Sequence, residues 1–141
     1  KGTNKKWINV FREMYGFQKL PVFHNALKII SKLAAYGHEI FFITSREIRD
    51  IPASYKALQQ NSLVYGPILY CTGDATKADI AEQLKLDFMI DDCPAHITPI
   101  SMENICTTIL FTNIEHSRQN CKFDFTTNNW EEVYKIIMGQ R

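Results

Sequence analysis

The 141-residue sequence contains no Cys-x-x-Cys pair, no repeat and no low-complexity tract. Its apolar runs all fall well short of the roughly 18 residues that cross a bilayer, which argues against a membrane span. Net charge is also lacking. At a formal +1, nothing in the balance calls for a nucleic acid polymer or an anionic membrane as partner. The four cysteines, Cys71, Cys93, Cys106 and Cys121, follow no common zinc spacing. Cys71 and Cys106 sit in apolar, strand-like segments where free thiols are usual, so disulfides are not expected and a reducing, cytoplasmic setting is. No secretory signal opens the chain: Lys1-Gly2-Thr3-Asn4-Lys5-Lys6 is polar and basic, with no apolar stretch behind it. The first residue is not Met, so a fragment, a processed form or a trimmed chain is expected.

What is present is an alternation of apolar strands and amphipathic helices over a length that suits one domain. That order predicts an α/β fold, a Rossmann-like parallel sheet with helices on both faces. Residues 5–15 read as a helix with Trp7, Val10, Phe11 and Met14 on one side and Tyr15-Gly16 as its stop. Pro21 opens a second helix, which carries Ala26, Leu27, Ile30, Leu33 and Ala34 at helical spacing and ends at Gly37. Strands are expected at 39–44, 67–72, 86–91 and 107–111. Further helices are expected at 54–60, at 76–84 behind a Thr76/Asp79 capping-box variant, and at 130–138 with Asn128 and Asn129 as cap candidates. Residues 112–129 read as loop.

Ligands of open α/β sheets bind beyond the carboxyl ends of the strands, so the residues there are the candidates. Thr44-Ser45-Arg46 follow the first of these strands and combine two hydroxyls with a guanidinium, which suits a phosphate; a plain polar turn is the alternative. Asp91-Asp92 end an apolar strand. Two adjacent carboxylates repel unless a cation intervenes, and a hard divalent ion such as Mg²⁺ would serve; an exposed acidic turn is the alternative. Lys77 lies in the first turn of its helix, where its charge opposes the macrodipole unless an anion lies nearby; the alternative is a solvated surface lysine. His24, His38, His96 and His116 are scattered without a metal triad and read as surface or core-edge residues. Trp7, Phe11, Tyr15, Phe17 and Phe23 read as core, with a base-stacking lid as the alternative.

Taken in order, Ile40-Phe41-Phe42-Ile43-Thr44, then Lys77 within Gly73-Asp74-Ala75-Thr76-Lys77-Ala78-Asp79-Ile80, then Phe88-Met89-Ile90-Asp91-Asp92 resemble three of the four motifs of the haloacid dehalogenase-like hydrolases. Gly37-His38-Glu39, Ser45-Arg46, Cys93-Pro94, Ile109-Leu110-Phe111 and Asn129-Trp130-Glu131-Glu132-Val133 look closer still to the 5′(3′)-deoxyribonucleotidase-like branch. The likeness spans roughly residues 20–138. It implies Mg²⁺-dependent hydrolysis of a phosphate monoester, a small phosphorylated molecule of nucleotide type, through an aspartyl-phosphate. By that resemblance Thr44 would hydrogen-bond the phosphoryl group and Lys77 would neutralise charge. Ser45 and Arg46 would touch substrate, and Asp91 with Asp92 would hold the metal.

The remaining motif, a strand ending in Asp-x-Asp that supplies the nucleophile, has no counterpart: Glu13 is the only acid before residue 20. In the family that strand is central, between those of Thr44 and Asp91. Its loss would strand buried amides and carbonyls at about 1–3 kcal/mol each. The expectation is therefore a single domain of residues 1–141 lacking its central strand, with residues 1–20 a remnant of a small cap or linker helix and 21–141 the core. Either an upstream strand completes it or the two flanking strands pair directly. Two other readings stay open: a non-catalytic binding or regulatory protein that keeps the pocket, and a receiver-like signalling domain, whose acidic pair normally comes much earlier in the chain.

Overall fold

A computed structural model describes residues 7–9, 23–45, 51–60, 62, 65–112 and 120–139. The elements in chain order are β1 (Trp7–Asn9), α1 (Phe23–Ala35), β2 (Glu39–Thr44), α2 (Ile51–Gln60), β3 (Ile68–Tyr70), α3 (Lys77–Leu84), β4 (Phe88–Asp91), α4 (Pro94–Met102), β5 (Thr107–Phe111), β6 (Phe125–Thr127) and α5 (Trp130–Met138). Among the described residues six strands form one sheet in the order β3-β2-β1-β4-β5-β6. Every pairing is parallel.

Strand alternation divides the core in two. Ile40 and Phe42 of β2, Phe88 and Ile90 of β4, and Ile109 and Phe111 of β5 pack with Ile29, Ile30 and Leu33 of α1 and with Trp130, Val133 and Ile137 of α5. The intervening residues Phe41, Ile43, Met89 and Leu110 pack with Ala81 of α3 and with Ile97 and Ile100 of α4. The result is the expected α/β arrangement, a parallel sheet between two helical layers. Strands buried on both faces have to read as continuous apolar runs, which is how β2 and β4 read in the sequence. No helix among the described residues is long and apolar enough to cross a membrane, and none of the four cysteines is in a disulfide.

Local signals placed most of the boundaries. α1 ends in a Schellman motif: Gly37, at φ 91°, donates its amide to the Ala34 carbonyl at 2.9 Å, and His38 donates to the Leu33 carbonyl at 3.1 Å. Asn129 caps α5 by accepting the Glu131 amide at 2.8 Å.

Three expectations are corrected, the helix at 7–9, the vacant central strand and the all-loop stretch 112–129, and one unexpected helix is added. Residues 7–9 are strand, not helix: Ile8 is in register with Ile40 on one side and Phe88 on the other. The central position expected to be missing is therefore held by β1, and β2 and β4 do not pair with each other. The spacing of Trp7, Val10, Phe11 and Met14 fits a helix, but an aromatic and β-branched run also suits a strand. At 7–9 the backbone pairing demanded by two buried strands decides the outcome. The remainder of the expected helix, with its Tyr15-Gly16 stop and the aromatic cluster members Phe11, Tyr15 and Phe17, lies outside the described residues. So do Pro21 and His116. Residues 112–129 are not all loop, because β6 adds an edge strand beside β5. Residues 94–102 form a helix that the two prolines concealed: Pro94 stands at the first helical position, where proline is tolerated, and Pro99 lies inside.

Gly66 stands where β3 meets β2. A Cβ there would sit 1.8 Å from the carbonyl oxygen of Ile40, which is backbone and cannot swing aside. Gly66→Ala should therefore push β3 off β2 and cost about 1–3 kcal/mol, read as a lower urea midpoint.

Candidate functional site at the carboxyl rim of the sheet

The strand order reverses at β1, since the chain runs outward from β1 through β2 to β3 and then returns to β4 on the other side. Such a switch point opens a crevice at the carboxyl ends of the strands. Asn9 of β1 is level with Phe41 and with Met89. Thr44 and Asp91 both lie further along their strands, so they share one rim. β2 and β4 flank β1 and are therefore about 10 Å apart, two strand spacings.

Lys77 is brought to that rim by its helix. The Thr76 hydroxyl accepts the Asp79 amide at 3.2 Å, and the Asp79 carboxylate accepts the Thr76 amide at 2.8 Å. This reciprocal capping box fixes where α3 begins, with Lys77 its first residue. Lys77 is not a solvated lysine. It is 5% exposed, and its Nζ meets Asp91 Oδ2 at 2.6 Å. The carboxylate supplies the anion that a cation at a helix N-terminus needs.

Asp91 is 1% exposed and holds its place through the turn that follows it. Its Oδ1 accepts the Cys93 amide at 2.9 Å, an Asx-type bond that carries the chain from β4 into α4. His96, on the first turn of α4, places Nδ1 3.4 Å from the same oxygen. That approach is within ion-pair reach but lacks hydrogen-bond alignment, and Nδ1 has no hydrogen-bond partner among the described residues. Burial alone pushes the Asp91 carboxyl up. The neighbouring His96 and the charge and hydrogen bond of Lys77 together outweigh it, so the carboxyl sits below its ordinary value. The adjacent-carboxylate conflict is thus met, at least in part, by a protein ammonium.

The remaining candidates lie around this pair. Thr44 is fully buried, continues the row of Ile40 and Phe42, and accepts the Cys71 amide on its carbonyl at 3.0 Å. Ser45 is exposed and lies close enough to the Cys71 thiol to favour its ionised form. Asp92 is half-buried. Arg46 lies outside the described residues. The structure therefore joins Lys77 to Asp91 directly and sets Thr44 and Ser45 on the same rim.

Two residues near the pair were not singled out from the sequence. Cys71 stands close enough to Lys77 and Ser45 for both to act on its thiol. Burial is the larger influence and pushes that thiol up, so it is protonated at neutral pH and no nucleophile. His96 reads in the sequence as one of four scattered histidines; the signal that marks it is its place two residues after Pro94, in a first helical turn behind the acidic pair.

Among the described residues no group of three or more His, Cys, Asp or Glu side chains is placed to hold a metal ion. Mg²⁺ is commonly held by one or two carboxylates with the rest of its shell from water and substrate phosphate. Each Asp91 oxygen already meets a donor, the Cys93 amide on Oδ1 and the Lys77 ammonium on Oδ2, and keeps a further lone pair that a metal ion could use.

Lys77→Met would leave a buried carboxylate without its ammonium and should cost about 3–5 kcal/mol at neutral pH. The sign with pH also changes. In the wild type the folded-state value of Asp91 is lowered, so its contribution is present above the unfolded value of about 3.9 and is lost as pH falls through the folded value. In the variant burial dominates and the folded value rises, so the deficit should shrink on acidification as Asp91 takes up a proton. Urea melts from neutral to acid pH would check both trends; a deficit that stays constant with pH contradicts them.

No family model matches the chain. A curated protein of Oceanobacillus iheyensis with the name "Putative nucleotidase" is 29% identical over 122 residues, which cover 83% of this chain and 62% of that protein. The chain thus spans less than two thirds of the relative's length.

Proposed function

We propose that this chain forms the phosphate-handling core of a Mg²⁺-dependent phosphate-monoester hydrolase of the haloacid dehalogenase-like type, acting on a nucleotide. The observation that carries the reading is the buried Lys77–Asp91 ion pair at the carboxyl rim of a parallel sheet, beside its switch point. A buried ion pair at the rim where α/β sheets receive ligands, with a carboxyl shifted by its charged neighbours, marks a candidate functional site. The similarity to a protein named as a nucleotidase favours a nucleotide as the phosphorylated molecule.

In this reading the Lys77 ammonium is shared between Asp91 and the incoming phosphoryl oxygens, whose charge it neutralises. Thr44 donates its hydroxyl to one of those oxygens, and Ser45 with Arg46 contacts the rest of the substrate. Asp91 and Asp92 hold Mg²⁺, which when bound offsets the negative charge of the phosphoryl group. Such chemistry depends on positioning and charge more than on new covalent steps. The aspartate that attacks phosphorus is not in residues 1–20; because β1 already fills the central place between β2 and β4, we assign it to chain outside residues 1–141 that reaches the rim without adding a strand there.

A second reading, a binding or regulatory protein that retains the pocket without turnover, has one observation in its favour. The central strand position is filled by Trp7–Asn9, and the residues that follow it up to residue 20 contain no aspartate.

The test uses the natural full-length protein with Mg²⁺ and a panel of nucleoside 5′-monophosphates, with released phosphate as readout. Release that stops on chelation, and that Lys77→Met cuts by about 10²–10³-fold, is the expected result. A folded protein that binds a nucleotide without releasing phosphate from any of the panel would decide for the second reading.

A further inference from the structure

The Lys77–Asp91 pair has a third neighbour whose position the pair itself does not require. His96 places Nδ1 3.4 Å from Asp91 Oδ1 while its ring keeps 29% exposure. The Nδ1 atom is buried and forms no hydrogen bond among the described residues. A buried ring nitrogen without a well-formed bond is disfavoured, so a ring held there needs a reason beyond its own satisfaction.

The geometry of the carboxylate supplies one. Oδ1 is committed to the Cys93 amide at 2.9 Å and Oδ2 to the Lys77 ammonium at 2.6 Å. A half turn about the Cβ–Cγ bond only exchanges two equivalent oxygens, but a partial turn would pull both off their donors, Oδ1 from the Cys93 amide and Oδ2 from Lys77. His96 stands against Oδ1, on the helix whose entry turn Asp91 itself shapes. α4 therefore presents two groups to one oxygen, a backbone amide and an imidazole edge, and leaves the other oxygen to the lysine.

We propose that His96 is a positioning residue that fixes the rotation of the Asp91 carboxylate, so that Lys77 is held at the rim in the orientation that receives a phosphoryl group. The consequence for ligand binding rests on the phosphate-site reading above; the clamp on Asp91 does not. His96 acts through Asp91 and needs no contact with substrate, in the manner of the outer partners that orient ligating side chains.

The experiment compares wild type, His96→Ala and His96→Asn, in which the asparagine amide occupies roughly the place of Nδ1. Two quantities are read: the Cys93 amide resonance, which reports the bond to Asp91 Oδ1, and the affinity for inorganic phosphate in the presence of Mg²⁺. His96→Ala should displace the Cys93 resonance and weaken phosphate binding by about tenfold, and His96→Asn should restore both. An unmoved Cys93 resonance in His96→Ala overturns the proposal. So does equal impairment of the two variants, which would assign the effect to ring bulk. Absence of phosphate binding by the wild type would remove the phosphate-site reading alone, and the Cys93 comparison would still decide the role of His96. If His96→Ala does not fold, His96→Gln takes its place: its amide reaches toward Nε2, so it should be impaired where His96→Asn is not.

Discussion

A buried ammonium and a buried carboxylate hold each other in place at the end of β4, and most of the local architecture around them serves to bring them there. Charges taken out of water are costly unless each meets its partner in good geometry. Lys77 is delivered by a capping box that sets the first residue of α3, and Asp91 by an Asx-type turn that starts α4. Both devices are short-range, so the two groups reach each other from elements that differ in direction and character. The sheet contributes the level: β4 carries Asp91 past the end of the described β1, into the rim rather than the core.

The second constraint is the place between β2 and β4. Both strands are apolar on both faces and need backbone partners on both edges. Three residues, Trp7–Asn9, meet that need on each side. The demand of the sheet overrides the helical spacing of the side chains, because unpaired buried backbone groups cost more than a local preference supplies.

How far the sequence could be read follows from the range of the forces involved. The capping box at Thr76, the Gly37 stop and the Asn129 cap depend on residues within a few positions of one another, and each was visible beforehand. So were Thr44, Lys77 and Asp91 as candidates, because strand ends and helix starts are local features. The contact between Lys77 and Asp91 was visible only as a need for some nearby anion. The strand character of residues 7–9 and the edge strand at 125–127 were not visible, since each is decided by a neighbouring strand far away in sequence. α4 was hidden for a different reason: Pro94 and Pro99 mask a helix whose Ile97 and Ile100 spacing points to it. His96 was lost with α4, since its approach to Asp91 exists only once that helix turns.

Among the described residues the outermost strands of the sheet, β3 and β6, are three residues each. An unpaired row of amides and carbonyls invites a foreign chain to add on, and the invitation grows with the length of the row. Here each border offers barely one residue pair beyond what a bridge requires. A misfolded or neighbouring polypeptide finds little on which to propagate, so a molecule built around long apolar inner strands keeps its self-association risk confined to states in which those inner strands have come apart.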